Sequence, residues 1–435
     1  MRRASSLLPI GLLLAAGLAR AEDPPFPAAA PPPGGPGLPS LSVHGFVLGT
    51  ASVRTTGLRP PGGEGGEFIL GEERLRLDVS AATASGQAFL FAKGDLLHDA
   101  VGGTLDVDFR EGYVGWTGGP LELRLGRQIV TWGVGDLVFI NDVFPKDWES
   151  FFSGRPMDYL KLGIDGLLAR VSSSVVSAEL AAVPFFTEDQ LPSRDRFFLF
   201  DPAAGVPRRR ESEPDTRWSN VELALRLYRR IAGLDGSLYA YRGFWRTPGV
   251  RFDDFAQPSV AERIYPRLSV YGLSVQRGLL EGVLSLEAGY YDSTQDRSGD
   301  DPAVANSQGR LLVGYQRELL PDFTAGVQVY GEIMDDHRAY RRSLPPGSPR
   351  QDRLRWVVTT RLTQWLDYQA WRLTLFVAVS PSDEDYFLQP EVSYKVTDAL
   401  TVSVGANIFG GREETTLFGQ LEKNDNVFAN VRYDF

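Results

Sequence analysis

The sequence predicts an all-β chain: a closed antiparallel transmembrane β-barrel of about 18 strands, with 16 as the alternative count, carrying short periplasmic turns and long extracellular loops. Three observations predict it. Apolar and polar residues alternate in segment after segment from Leu41 to the end. The connections between those segments are alternately tight and long. Past the first 20 residues no apolar run is long enough for a membrane-spanning helix, which leaves strands as the only spanning element.

The first 21 residues read as a signal peptide. Arg2 and Arg3 form a basic start, Leu7–Leu18 an apolar stretch, and Ala19-Arg20-Ala21 a small-x-small cleavage pattern. The exported chain has no cysteine, so no disulfide staples it. Residues 22–40 hold eight prolines in 19 positions and no apolar period, and are expected to form a stiff periplasmic tether rather than part of a core.

The body, 41–435, is the barrel. In RLRLDVS (74–80), Leu75, Leu77 and Val79 alternate with Arg74, Arg76 and Asp78. LDVDFR (105–110), LELRLG (121–126), VELALRLY (221–228) and WRLTLFVAV (371–379) repeat the scheme. A period of two means a strand with one apolar and one polar face. Tight joins fall at 83–84, 118, 172–173, 230, 278–279, 319–320 and 397–398. Long polar joins fall at 55–66, 97–104, 129–157, 185–216, 246–265, 294–305, 336–352 and 411–424, with a brief exception at 380–385.

A soluble sandwich or propeller has the same alternation with its faces reversed. The apolar faces here carry aromatics near strand ends (Tyr290, Trp356, Trp371, Tyr386, Tyr433), as interface girdles do. The polar faces carry Arg, Asp and Glu on strand after strand. The last strand, NVFANVRYDF (426–435), alternates to a terminal aromatic and resembles the C-terminal insertion signal of bacterial outer-membrane barrels. A Gram-negative outer-membrane location follows as an expectation.

Beyond that ending, the region 41–435 resembles the outer-membrane porin superfamily. The segment LRLGRQIVTWGVGDLVFINDVFPKDW with DYLKLGIDGLLARV (123–148, 158–171) is similar to the alginate-export-like 18-stranded porins. That resemblance implies a water-filled channel narrowed by an inward-folded third loop, here 129–157, for diffusion of small polar or charged solutes. It also leaves room for a homo-oligomer in outer-membrane lipid.

If the apolar residues face lipid, the alternate ones line the lumen, including Arg110, Lys161, Asp165, Glu179, Glu222, Glu287, Arg310 and Arg432. Pore-lining and constriction candidates form two groups. The basic group is Arg353, Arg355, Arg361 and Arg372 on two neighbouring strands, with Arg74, Arg76 and Arg124 elsewhere on the wall. The acidic group is Asp136, Asp142, Asp147 and Glu149 in the third loop, among Trp132, Phe139, Phe144, Trp148, Phe151 and Phe152. An acidic loop opposite a basic ladder would set a transverse field across a constriction; the plainer reading is that the arginines tie neighbouring strands together.

The chain is not expected to be an enzyme. His44 falls on the first strand with lumen parity, His98 and His337 at loop beginnings, and no metal-ligand spacing or phosphate loop occurs. No cofactor and no nucleic acid is implied. The alternative function is a barrel sheath or export channel for a periplasmic or extracellular partner (polysaccharide export or an electron-transfer conduit), docked by the Pro-rich arm.

Overall fold

The computed structural model describes residues 39–60, 63, 66–345 and 348–435; the expected signal peptide and all but the end of the Pro-rich tether lie outside the described residues. The strands in chain order are β1 (Ser40–Arg54), β2 (Phe68–Ala82), β3 (Ala88–Asp99), β4 (Thr104–Gly118), β5 (Leu121–Gln128), β6 (Ile164–Val171) and β7 (Ser177–Val183). After β8 (Arg208–Ser212) come β9 (Glu222–Ile231), β10 (Leu234–Phe244), β11 (Gly249–Phe252), β12 (Val260–Ile264), β13 (Arg267–Leu279) and β14 (Gly282–Asp292). The chain ends with β15 (Gln308–Leu320), β16 (Phe323–Met334), β17 (Leu354–Leu366), β18 (Trp371–Ser380), β19 (Asp385–Lys395), β20 (Leu400–Gly411) and β21 (Asn426–Asp434). Eighteen of them form one sheet; β8, β11 and β12 form a separate three-stranded sheet within the long loops. Two short helices, α1 (Trp148–Ser153) and α2 (His337–Ser343), also lie in loops.

Each barrel strand pairs antiparallel with its chain neighbours, and β1 pairs with β21 from Phe46↔Asp434 to Arg54↔Asn426. Gly45 and Phe435 extend that seam with a reciprocal pair of backbone hydrogen bonds of 3.1 and 2.9 Å. The sheet is therefore a closed barrel with no free edge. The expected 18-strand count and the alternation of connections hold, with two adjustments. The join expected at 129–157 extends to 163, because β6 begins only at Ile164. The join expected at 97–104 is a four-residue turn, 100–103, because β3 runs on through His98 to Asp99.

Sequence parity sorts the side chains. On β2, Leu75 and Leu77 are exposed on the outer face while Arg74 and Arg76 are buried on the inner one. On β21, Val427, Val431 and Tyr433 face out, and Asn426, Phe428 and Asn430 face in. All five aromatics expected in the girdles are exposed on the outer face, Trp371 stacking on Tyr394 with ring centres 4.3 Å apart. A register shift at Lys93/Gly94 places both Arg110 and Glu111 of β4 inside, where both are buried. The turns at one end are tight: Ala232 and Gly233 between β9 and β10, and Leu280 and Glu281 between β13 and β14, all have positive φ, the twist-matched two-residue hairpin.

The outer face tests the assignment. Leu286 lies mid-strand on β14 and is exposed there. Leu286→Arg is expected to lower barrel stability by about 2–4 kcal/mol, the cost of a cation at mid-bilayer. Reversible unfolding in lipid vesicles measures it, and an unchanged stability would contradict a lipid-facing surface.

Candidate functional site

The third long loop, 129–163, runs from β5 to β6, and its contacts lie on the inner wall. Asp147 caps α1 by accepting from the Ser150 amide at 2.7 Å, and Gly154 ends it in the left-handed conformation at φ 90°. Capping fixes a helix of only six residues so that Trp148, Phe151 and Phe152 are all buried. Phe151 and Phe152 meet the inward ring of Phe387 on β19 at 5.5 and 5.9 Å, and Phe152 meets Phe409 on β20 at 5.6 Å. Asn407 and Asn426 donate to the Phe152 carbonyl, and Asn430 to that of Gly154, at 3.0–3.3 Å. Arg155 donates to Glu72 of β2 at 2.9 Å.

The other half of the loop reaches the opposite wall. Glu287 of β14 accepts from the amides of Val134, Gly135 and Asn141 and from the Asn141 side chain, at 2.8–3.0 Å. Gln328 of β16 accepts from the Asp136 amide at 2.7 Å, and the Tyr291 hydroxyl donates to the Ile140 carbonyl. Trp132 donates to Glu179 of β7. Inward-facing side chains near mid-strand are buried on most of the barrel strands, among them Leu48, Asp95, Ala181, Glu287, Phe376 and Asn407, while Arg226 of β9 and Gln389 and Glu391 of β19 are only partly covered.

The expected acidic loop and basic ladder meet at one point. Arg361 of β17 donates to Asp136 at 2.7 Å. Arg355 pairs with Asp383 in the next loop, and Arg372 with Glu391 of β19 at 2.7 Å, so these two tie the wall together. Arg353 precedes β17 and is exposed at the loop end rather than on the ladder. Asp142 is held by Lys146 at 3.1 Å and Lys161 at 3.6 Å; Glu149 accepts from the Ser193 amide at 2.7 Å with Arg196 at 3.7 Å. Asp147 is spent on the helix cap. Four expected acids thus divide into one that faces the ladder and three with partners inside the loops.

Arg74, Arg76 and Arg124 follow the plainer reading. Arg74 bridges Glu72 and Asp95 at 3.1 and 3.2 Å, Arg76 holds Asp95, and Arg124 holds Glu122 at 2.6 Å. Glu122 also binds Arg170, which binds Glu179 in turn. Arg74, Arg76 and Arg110 all pack over the Tyr159 ring, at 4.5–5.1 Å.

Three further positions differ from expectation. Asp165 is on the outer face of β6, paired with Arg127 at 2.7 Å, because near the long-loop end the outer surface is no longer purely apolar. Lys161 belongs to the loop, not to a strand. His98 sits within β3, bonded to Glu73 at 2.7 Å rather than beginning a loop. His44 bonds Ser42 at 2.7 Å and His337 the Gln351 carbonyl at 2.9 Å.

Burial sets the loop carboxyls. It pushes Asp136 above the usual carboxylate range against the opposing pull of Arg361, and Asp147 likewise against Arg155 and Ser150. It pulls the Lys161 amine down, with Asp142 opposing. In the loop between β7 and β9, burial together with Glu211 pushes Glu188 up to about 7.

A raised folded-state pKa favours the protonated fold, so Glu188 costs stability as pH rises through 7. The loop 184–221 is expected to gain protease protection on acidification from about pH 8 to about pH 6. Glu188→Gln should flatten that dependence. Equal protection of the unsubstituted loop at both values would remove the effect.

No family model and no curated protein matches the chain. Among solved structures the fold is that of bacterial outer-membrane porins. OccK11 (OpdR) of Pseudomonas aeruginosa has a TM-score of 0.51 at 10% identity, covering 91% of this chain and 96% of that one. A triple mutant of the Rhodopseudomonas blastica porin scores 0.43 at 14% identity over 91% and 100% of the two chains. A loop-deleted OmpT, an outer membrane protein of Vibrio cholerae, scores 0.42 at 10% over 91% and 99%. At these identities the likeness speaks for fold alone, and the similarity to alginate-export-like porins is not confirmed.

Proposed function

We propose that this chain is an outer-membrane channel through which small polar or charged solutes diffuse, with the loop 129–163 as its constriction. The observation that carries the reading is the pairing of an apolar outer face with a charged inner one in a closed barrel, the third loop being bonded across the lumen from Glu72 to Glu287. Charged groups inside a barrel stay hydrated or paired, whereas lipid would penalise them.

At the waist the pair that selects is Asp136 with Arg361. The two cancel while both are charged, so selectivity at neutral pH is modest. Removing the carboxylate leaves the guanidinium uncompensated and favours anions. A sheath around a partner would need an unobstructed lumen, and this one holds its own loop.

Purified barrel in a planar bilayer under a salt gradient tests the proposal. Discrete current steps are expected, and Asp136→Asn should move the reversal potential toward the anion limit. Absence of steps from the folded barrel and from a variant lacking the loop tip would overturn it.

A further inference from the structure

Within the third loop, one stretch has the form of a flap. Its ends are brought together: the rings of Trp132 and Phe144 touch with centres 5.0 Å apart, and Trp132 is fixed by Tyr239 at 5.9 Å and by its bond to Glu179. Between those feet, residues 133–143 leave the wall near β7 and β10 and reach β14, β16 and β17, where Glu287, Gln328 and Arg361 receive them. A compact loop with closed ends and a separate tip is an Ω-type element, the form lids take.

We infer that the described conformation is the shut state of the channel proposed above, and that residues 133–143 are its gate. The inference rests on that channel reading. Three observations carry it. First, inward-facing side chains near mid-strand are buried on most of the barrel strands, those that receive the loop among them, so little of the inner wall is left open at that level. Second, the two halves of the loop are attached by different means. The α1 half is locked by edge-to-face contacts of Phe151 and Phe152 with Phe387 and Phe409, an apolar contact that water cannot replace, and adds hydrogen bonds from three asparagines. The flap tip is held chiefly at one carboxylate, Glu287, which takes four N–H donors, and at the Asp136–Gln328–Arg361 cluster. Water can take over each of these hydrogen bonds once the tip lifts.

Third, the backbone of the flap is held in conformations that a relaxed loop would leave. Leu137 is fully buried with φ 62°, a left-handed conformation that costs a leucine about 1–2 kcal/mol unless its surroundings enforce it. Gly133 has φ 85°, and a Cβ there would lie 2.8 Å from the Glu287 carboxylate. Only glycine lets the clamp close. The flap's buried Leu137, Val138 and Ile140 oppose opening, so the shut state dominates and openings are brief.

The chain has no cysteine, so engineered thiols are unambiguous. Single-channel recordings would compare the unsubstituted barrel, Glu287→Gln, the double variant Asp136→Cys with Arg361→Cys, and a variant with 133–143 replaced by two glycines. Glu287→Gln should raise the open probability about tenfold, the effect of losing a charge-assisted clamp. A short bis-methanethiosulfonate, which forms a disulfide with each cysteine and releases methanesulfinate, should close the double-cysteine barrel, reductant should reopen it, and each single-cysteine control should keep its gating. The two-glycine variant should conduct continuously. If it does so while the clamp variant and the cross-link leave gating unchanged, the channel stands and the gate is wrong. If the two-glycine variant folds and is silent, the channel reading itself fails.

Discussion

Closure of the barrel at the β1–β21 seam is the constraint on which everything else depends. In hydrocarbon no water satisfies a backbone amide, and an open sheet would leave two rows of them unpaired. The seam from Phe46↔Asp434 to Arg54↔Asn426, extended by Gly45 and Phe435, removes both rows. It also gives the sheet an inside and an outside, and from that moment each residue's parity has a physical meaning. One soft place in the ladder is β19, where Pro390 has no amide to give and the pairing with β20 lapses between Leu388↔Ile408 and Glu391↔Gly405. The flanking pairs on both sides keep the strand in register, so closure survives the gap.

Closing eighteen strands creates a second problem, a lumen too wide for wall side chains to fill. The chain answers it in two ways. Wall charges neutralise one another across strands, as in the run Arg155–Glu72–Arg74–Asp95–Arg76. Such pairs add little net stability, since desolvation offsets attraction, but losing one member strands the other at a cost of about 3–5 kcal/mol. The remaining volume is taken by loop. Aromatic residues of α1 find Phe387 and Phe409, which point inward because Tyr386 and Ile408 point to lipid. The loop's apolar content and the wall's inward rings are two halves of one core.

How much of this could be read beforehand follows from the same physics. Strand existence, face and connection rhythm were readable because lipid on one side and polar lumen on the other enforce a period of two over many residues. Asp165 was misplaced because that contrast fades toward the loop end: Arg127–Asp165 and Glu73–His98 both lie on the outer face, and parity there no longer separates lipid from lumen. The loops were unreadable for a different reason. A strand of four or five residues, such as β11 or β12, is too short to show alternation, and β8 joins β12 across a long separation in sequence. For α1 the sequence does carry a signal: Asp147 before WESFFS and Gly154 after it are a helix cap and stop. The neutral anchors Asn407, Asn426 and Asn430 share the parity of the charged wall residues, but a search for charge passes over them.

The distribution of charge explains why the composition was a poor guide to selectivity. The chain is net negative by ten, yet the acids grouped in the third loop are mostly engaged by partners within the protein. Asp147 caps a helix, Asp142 sits between two lysines and Glu149 holds the neighbouring loop. What a solute can sense is set by groups that lack a full complement of partners. On the flap and the wall that receives it these include one oxygen of Asp136 and one nitrogen of Arg361, with an oxygen each of Asn141 and Asp142, all buried without a hydrogen bond of their own. An unsatisfied donor and acceptor side by side, on a loop tip and on the wall that receives it, are what closure leaves incomplete, so lifting the tip would hydrate both at once.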